Sequence, residues 1–312
     1  MQGTISDLTL RYADRYRDTF AEACPFRHVL MDSFLTPEFL DSILAQFPEA
    51  NPAKMTNEFG GRSLKHAVAD IRSLGPAYRA WDAVLRSEEF IAFLEHVTGI
   101  PDLIYDPGYF GAGTHNNLHG QALDLHVDFN RHPETDFHRR LNLIVYLCEE
   151  WEEEWGGAIE LHRDAWDRSR DREYVSYPPY ANHAVLFETH EHSWHGFAPV
   201  NLPEEKRHLS RKSLTVYYYT RNLESGRAAG THSTVYVPGW IPESISPGEP
   251  LTEEAYAELE AMLHRRDHFL RGLYRSHHRQ VEDYHKVLRK LRPLYMIARR
   301  LGLLRFARRL LK

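Results

Sequence analysis

The chain has 312 residues, 42% of them hydrophobic and 26% charged, which suits one large catalytic domain with an accessory segment and excludes a disordered chain. Two cysteines, Cys24 and Cys148, exclude a disulfide framework and any Cys-rich zinc site, so metal chemistry here must draw on His and carboxylate. The net charge of −6 is uneven: Leu263 to Lys312 has 15 Lys and Arg against 3 Asp and Glu, whereas Met1 to Met262 has 23 against 41.

No run approaches the roughly 18 apolar residues of a bilayer span, and MQGTISDLTLRYADRYRDTF lacks the apolar centre of a secretory signal. The expectation is a soluble, cytoplasmic protein without internal repeats. Residues 1–100 read as a helical support region, with helices opening at Pro37-Glu38-Phe39-Leu40 and spanning Glu88 to Val97. From Pro101 to Asn222 the pattern changes to short β-type runs: 141–147, 158–161, 184–187 and 214–219. Such a density of strands with no helices between them predicts an antiparallel sandwich or barrel over 101–222. A loop rich in Gly, Ser and Pro, 223–250, leads to a basic helical region, 251–312, expected to break at Pro293 and resume as an amphipathic helix.

Several chemistries are excluded by their missing motifs: there is no phosphate-binding Gly-x-x-x-x-Gly-Lys, no Gly-x-Ser-x-Gly elbow and no Gly-x-Gly-x-x-Gly. His162-Arg163-Asp164 imitates a kinase tripeptide without its companion motifs, and His190-Glu191-His192-Ser193-Trp194 misses the second His of a zinc protease. His126-Val127-Asp128 is more informative. On a strand, residues i and i+2 project from one face, so an imidazole and a carboxylate reach one ion together. A second His from a distant strand completes a facial set that leaves open positions. His195, between Trp194 and Gly196, is the candidate. With 20 histidines in the chain the His-x-Asp spacing alone is not decisive, and His162/Asp164 is a second instance.

The surrounding segments decide more. LDLHVDFN (123–130), RRLNLIVYL (139–147), EWGGAIEL (154–161), NHAVLFET (182–189), SWHGF (193–197) and RKSLTVYYYT (211–220) stand in an order and spacing that resembles the 2-oxoglutarate and Fe(II)-dependent oxygenases, most closely their prolyl 4-hydroxylase-like branch. The resemblance implies a mainly β core, a double-stranded β-helix (jelly roll, cupin-like), packed with N-terminal and C-terminal α-helices. It implies that His126, Asp128 and His195 hold Fe(II), that Arg211 binds the distal carboxylate of 2-oxoglutarate, and that Tyr146 supports the same carboxylate. Asn116 falls where prolyl hydroxylases often place a tyrosine near the other end of the cosubstrate. The interval from His195 to Arg211 is 16 residues where the family usually has about ten, so a loop over 201–210 is inserted and Arg207 competes with Arg211.

The implied reaction consumes Fe(II)-bound 2-oxoglutarate and O₂, releases succinate and CO₂, and hydroxylates an unactivated C–H bond of a polar substrate: a peptidyl or free amino acid, or a small metabolite. Ascorbate is an optional reductant. Related halogenases have Gly or Ala where Asp128 stands, so the carboxylate favours hydroxylation. Two rival readings are the same chemistry on a membrane-associated glycolipid or cell-envelope sugar, and a non-catalytic cupin-like metal-binding sensor. The stretch LYMIARRLGLLRFARRLLK after Pro293 alternates apolar residues with Arg at helical period. It reads either as a structural helix or as a peripheral anchor on the anionic inner membrane face. No nucleic-acid partner is expected from the acidic body.

Overall fold

The first helices are fixed by local signals. Ser6, Thr36 and Ser87 each accept a hydrogen bond from the backbone N–H three residues on, capping α1 (Asp7–Arg11), α3 (Pro37–Leu44) and α5 (Glu88–Thr98). Pro37 occupies the first turn of α3, where its missing N–H costs nothing, and Gly99 closes α5 in the left-handed region at φ 67°. Along α5, Phe90, Phe93, Leu94 and Val97 are buried at the spacing of one helix face. They pack with Tyr78, Trp81 and Leu85 of α4 (Pro76–Leu85) and with Tyr16 and Phe20 of α2 (Ala13–Glu22). Removing each such side chain from water contributes roughly 1.5–3 kcal/mol.

The computed structural model describes residues 1–51, 55, 65–167, 174–223, 230–237, 241 and 244–300. Among these, the strands are β1 (His28–Met31), β2 (Lys65–Val68), β3 (Ile104–Tyr105), β4 (Gly113–Asn117), β5 (Leu123–Val127) and β6 (His138–Tyr146). They are followed by β7 (Ile159–His162), β8 (Val175–Tyr177), β9 (Ala184–Glu188), β10 (Trp194–Phe197), β11 (Arg211–Thr220) and β12 (Val235–Tyr236).

Two antiparallel sheets result. The larger has the order β1-β9-β6-β11-β4-β2, with β3 also paired to β11, and the smaller has the order β12-β5-β10-β7-β8. From β4 to β11 the chain winds between them, placing β4, β6, β9 and β11 in one sheet and β5, β7, β8 and β10 in the other. This is a double-stranded β-helix. Alternation sorts each strand of the larger sheet: Leu141, Leu143 and Val145 of β6 face the helices, with Leu214 and Val216 of β11, while Tyr146 turns inward. Inside, Tyr146 joins Ile159, Leu161, Val185, Phe187 and Phe26 in a second apolar cluster.

Three features differ from the sequence-based expectations. The first hundred residues are not wholly helical, because β1 and β2 form the two outer strands of the larger sheet. β1 is four residues long, three of them apolar, too short for periodicity to separate strand from helix. The 223–250 loop contains β12, which adds to the smaller sheet beside β5. The third helical region does not break at Pro293: α6 (Glu253–Arg300) runs through it. A proline removes a single N–H, and the turns on both sides keep their own hydrogen bonds. The side chains of the stretch after Pro293, read above as a structural helix or an anchor, lie outside the described residues. Met1–Val237 forms one unit and Pro238–Lys312 another. Among the described residues no helix is long and apolar enough to cross a membrane.

Candidate active site

The site is built on the smaller sheet's inner face, where β10 runs antiparallel to β5 and His195 lies directly opposite His126. Gly196 makes this pairing close: a Cβ there would lie 2.6 Å from the carbonyl oxygen of Leu123. The two imidazole rings are 4.2 Å apart between centroids, and Phe187 of β9 packs 4.8 Å from the His195 ring. Asp128 follows β5 directly. Its Oδ2 is 3.3 Å from His195 Nε2 and its Oδ1 is 3.6 Å from His126 Nε2. One ligand atom from each of the three residues can be chosen so that all lie within 4.8 Å of one another.

Each imidazole is oriented by the carbonyl two residues upstream. His126 Nδ1 donates to Asp124 O at 3.0 Å and His195 Nδ1 to Ser193 O at 2.9 Å. Both rings therefore carry the proton on Nδ1 and turn an Nε2 lone pair toward Asp128, the arrangement that metal-binding histidines use. Burial, then the neighbouring His126, lower the His195 pKa against the opposing pull of Asp128, which keeps the ring neutral. Burial alone would raise the Asp128 pKa. The buried Arg139 guanidinium is the first of the groups that instead hold it well below the usual carboxylate range. Two imidazoles and one carboxylate fit a divalent first-row metal with open positions, the donor set of non-heme Fe(II).

Arg211 opens β11 and is buried. Its Nη2 donates to the Tyr146 hydroxyl at 3.2 Å and its Nε to the carbonyl of Gly157. Phe197, two residues beyond His195 and hence on the same face, lies 4.1 Å below the guanidinium carbon. The Trp-Gly-Gly motif explains itself here. Gly156 and Gly157 both adopt left-handed φ, 68° and 70°, and a Cβ on Gly157 would stand 3.1 Å from Arg211 Cδ. Arg207, the competitor, is exposed at the end of a short turn in the inserted loop.

Asn116 does not join them. Asn117 is the cross-strand partner of Arg211, so alternation puts Asn116 on the opposite face, where its Nδ2 donates to Pro48 O at 3.3 Å. The expectation was one residue out of register, and the side chains of β4 on the Arg211 face are His115 and Asn117. Burial, then Lys65 and Arg211, push the His115 pKa well below its ordinary value, with Asp128 opposing.

Further residues were not anticipated from the sequence. Arg139 and Asn142 both reach Asp128. Tyr236 of β12 stacks on the His126 ring at 5.1 Å between centroids and 27° between planes. Its segment is tied to the residues after Asp128: Asn130 accepts from His232 N at 3.0 Å through Oδ1 and donates to Gly230 O at 2.8 Å through Nδ2. Nothing in a Gly- and Ser-rich loop signals a two-residue strand.

Residues 112–219 match the model of the 2OG-Fe(II) oxygenase superfamily. That segment, about a third of the chain, is where the similarity to the superfamily lies. No curated protein matches the sequence. Similar solved structures include a prolyl 4-hydroxylase from Phytophthora capsici, 18% identical, covering 83% of this chain and 72% of that one with a TM-score of 0.45. Another is a prolyl hydroxylase from Trichoplax adhaerens in complex with a hypoxia inducible factor peptide fragment, 12% identical over 70% of this chain and 96% of that one, TM-score 0.46. A third is a prolyl-4-hydroxylase from Pseudomonas putida, 14% identical over 67% and 100%, TM-score 0.42. The 2OG-Fe(II) oxygenases use Fe(II), 2-oxoglutarate and O₂, and the His-Asp-His cluster lies within the matched segment.

Proposed function

We propose that this oxygenase hydroxylates an unactivated C–H bond of a polar substrate, a peptidyl or free amino acid or a small metabolite, and converts 2-oxoglutarate to succinate and CO₂. In this reading His126, Asp128 and His195 hold Fe(II), and Arg211 with Tyr146 binds the distal carboxylate of 2-oxoglutarate. The supporting observation is the shared face of β10: His195 stands at the metal cluster and Phe197, one i to i+2 step along, lies under Arg211. Such a step spans about 7 Å, commensurate with a five-carbon dicarboxylate.

Bound Fe(II) would supply the redox chemistry that couples O₂ reduction to oxidation of cosubstrate and substrate. The chain's own residues do the positioning. Arg211 offers a planar cation at the far end, pre-oriented by the Gly157 carbonyl and the Tyr146 hydroxyl, which suits a carboxylate better than a lysine point charge does. Phe187 and Phe197 exclude water from the faces of His195 and Arg211. A metal-binding sensor has no use for this second, buried cation, so the pair Arg211/Tyr146 favours turnover.

The test is Fe(II)-dependent succinate release from 2-oxoglutarate, screened over metabolite and peptide mixtures, followed by a search for products heavier by one oxygen. Stimulated succinate formation that disappears in Arg211→Met is expected. Failure of every mixture, with no uncoupled turnover either, contradicts the proposal.

A further inference from the structure

Arg139 is buried inside the core, with its guanidinium carbon 3.4 Å from the Tyr217 ring centroid and 4.5 Å from that of Phe129. Regular alternation along β6 would not put it there. Leu141 pairs with Tyr218 and Arg139 with Tyr219, so Arg140 is an extra residue opposite a single step of β11. Without this bulge, Arg140 would share the inner face with Asn142, and Arg139 would point with Leu141 toward the helices. Instead Arg140 turns to Glu188 and Thr220, and Arg139 is re-aimed at Asp128.

There it meets one carboxylate oxygen. Arg139 Nη2 and Asn142 Nδ2 both donate to Asp128 Oδ2, each at 2.9 Å, and Arg139 also donates to Asn142 Oδ1 at 3.0 and 2.7 Å through Nε and Nη2. Asn142 is thereby locked with its amide N–H groups toward Asp128. Oδ2 has these two donors and also lies 3.3 Å from His195 Nε2, whereas Oδ1 lies 3.6 Å from His126 Nε2.

Stability does not explain this arrangement. Burying an ion pair costs more than it returns unless every group is satisfied, and an apolar replacement is often neutral or better. Arg139 Nη1 is buried with no hydrogen-bond partner. Resting on the metal reading above, we propose that Arg139 is a positioning residue that, with Asn142, holds Asp128 through Oδ2 and so sets the orientation in which the carboxylate meets the metal. It fixes how Asp128 binds without touching the metal itself. The outer partners of metal ligands commonly change metal affinity by about 10- to 100-fold when removed.

The experiment uses the full chain, stripped of metal and free of 2-oxoglutarate, titrated with Mn(II) and, separately, with Co(II) while the visible ligand-field spectrum is recorded. Arg139→Gln removes the charge, and Arg139→Lys keeps it but cannot fork to both partners. Expected are an Mn(II) affinity about tenfold or more weaker in Arg139→Gln and at least threefold weaker in Arg139→Lys, with an altered Co(II) spectrum as Oδ2 is released. A merely structural role would lower the thermal midpoint of the metal-free protein and leave the Co(II) spectrum as in the parent. Parent affinity and spectrum in a folded Arg139→Gln overturn the proposal. If Arg139→Gln does not fold, Arg139→Lys decides by the same two readouts. Should the parent bind neither metal, the functional reading itself fails, an outcome distinct from unchanged binding in the variants.

Discussion

Arg211 and Tyr146 lie 65 residues apart in sequence, yet the guanidinium donates to the phenol at 3.2 Å, and both are buried on the inner face of the larger sheet. Because β11 pairs with β6 with Ser213 opposite Tyr146, Arg211 stands one i to i+2 step beyond that pair. Losing a charge-assisted, two-pronged contact costs about 1.5–3 kcal/mol. Arg211→Lys should therefore raise the KM for 2-oxoglutarate on the order of tenfold or more, and Tyr146→Phe by several-fold, with Fe(II) affinity little changed in either. Steady-state kinetics with varied 2-oxoglutarate measures both; an unchanged KM in Arg211→Lys removes Arg211 from the cosubstrate site.

Gly157 gives a sharper test of how Arg211 is placed. Alanine there is strained at φ 70° and sits 3.1 Å from both Arg211 Cδ and Val200 Cγ2. Gly157→Ala should cost about 1–3 kcal/mol of stability and weaken 2-oxoglutarate binding by displacing Arg211. Thermal unfolding and isothermal titration check the two effects separately. Gly3→Ala, at φ 76° with nothing within 4 Å, supplies the comparison for backbone strain alone.

The segment Gly230–Val237 is held beside the His126-Asp128-His195 cluster by Asn130 and by Val237 N donating to Leu125 O at 2.8 Å. Asn130→Ala removes both side-chain tethers, each contributing about 1 kcal/mol. The expected result is faster proteolytic cleavage within this segment and a raised KM for the primary substrate. Mn(II) affinity should stay within a few-fold of the parent, since His126 keeps its own hydrogen bond to Asp124. Unaltered cleavage would mean that Asn130 does not hold the segment.

Acid should destabilise the metal-free protein. Burial lowers the pKa of His28, against the pull of the Phe26 carbonyl, and His115 is depressed further by burial, Lys65 and Arg211. Both rings are neutral in the fold. In the unfolded chain they titrate near about 6.5, so below that pH the unfolded state binds more protons and stability falls. The thermal midpoint should drop between about pH 7.5 and about pH 5.5, and less steeply in His28→Asn. A midpoint that rises on acidification contradicts this sign.

What the sequence made legible followed from period-two alternation. His126 and Asp128 share a face because they are two apart, and the strand beginning at Arg211 was recognisable because Leu-Thr-Val-Tyr continues it. The errors come where counting by two needs a register that only pairing supplies. Asn116 differs from Asn117 by one residue, and the partner that decides between them, Arg211, is almost a hundred positions away. Arg139 was hidden by the bulge at Arg140, since alternation favours the wrong arginine. β12 is two residues long and gains its order from β5, so no local propensity announced it. The passage of α6 through Pro293 shows the same limit, as a local breaker was outvoted by the helix around it.

The most direct test of the metal-and-cosubstrate site is the visible spectrum of the anaerobic protein with Fe(II) and 2-oxoglutarate together, in the parent, Asp128→Ala and His195→Ala. Chelation of 2-oxoglutarate by iron held at His126, Asp128 and His195 should give a weak charge-transfer band in the parent that both variants lose. A parent without the band, or an Asp128→Ala protein that retains it at full strength, would contradict the assignment.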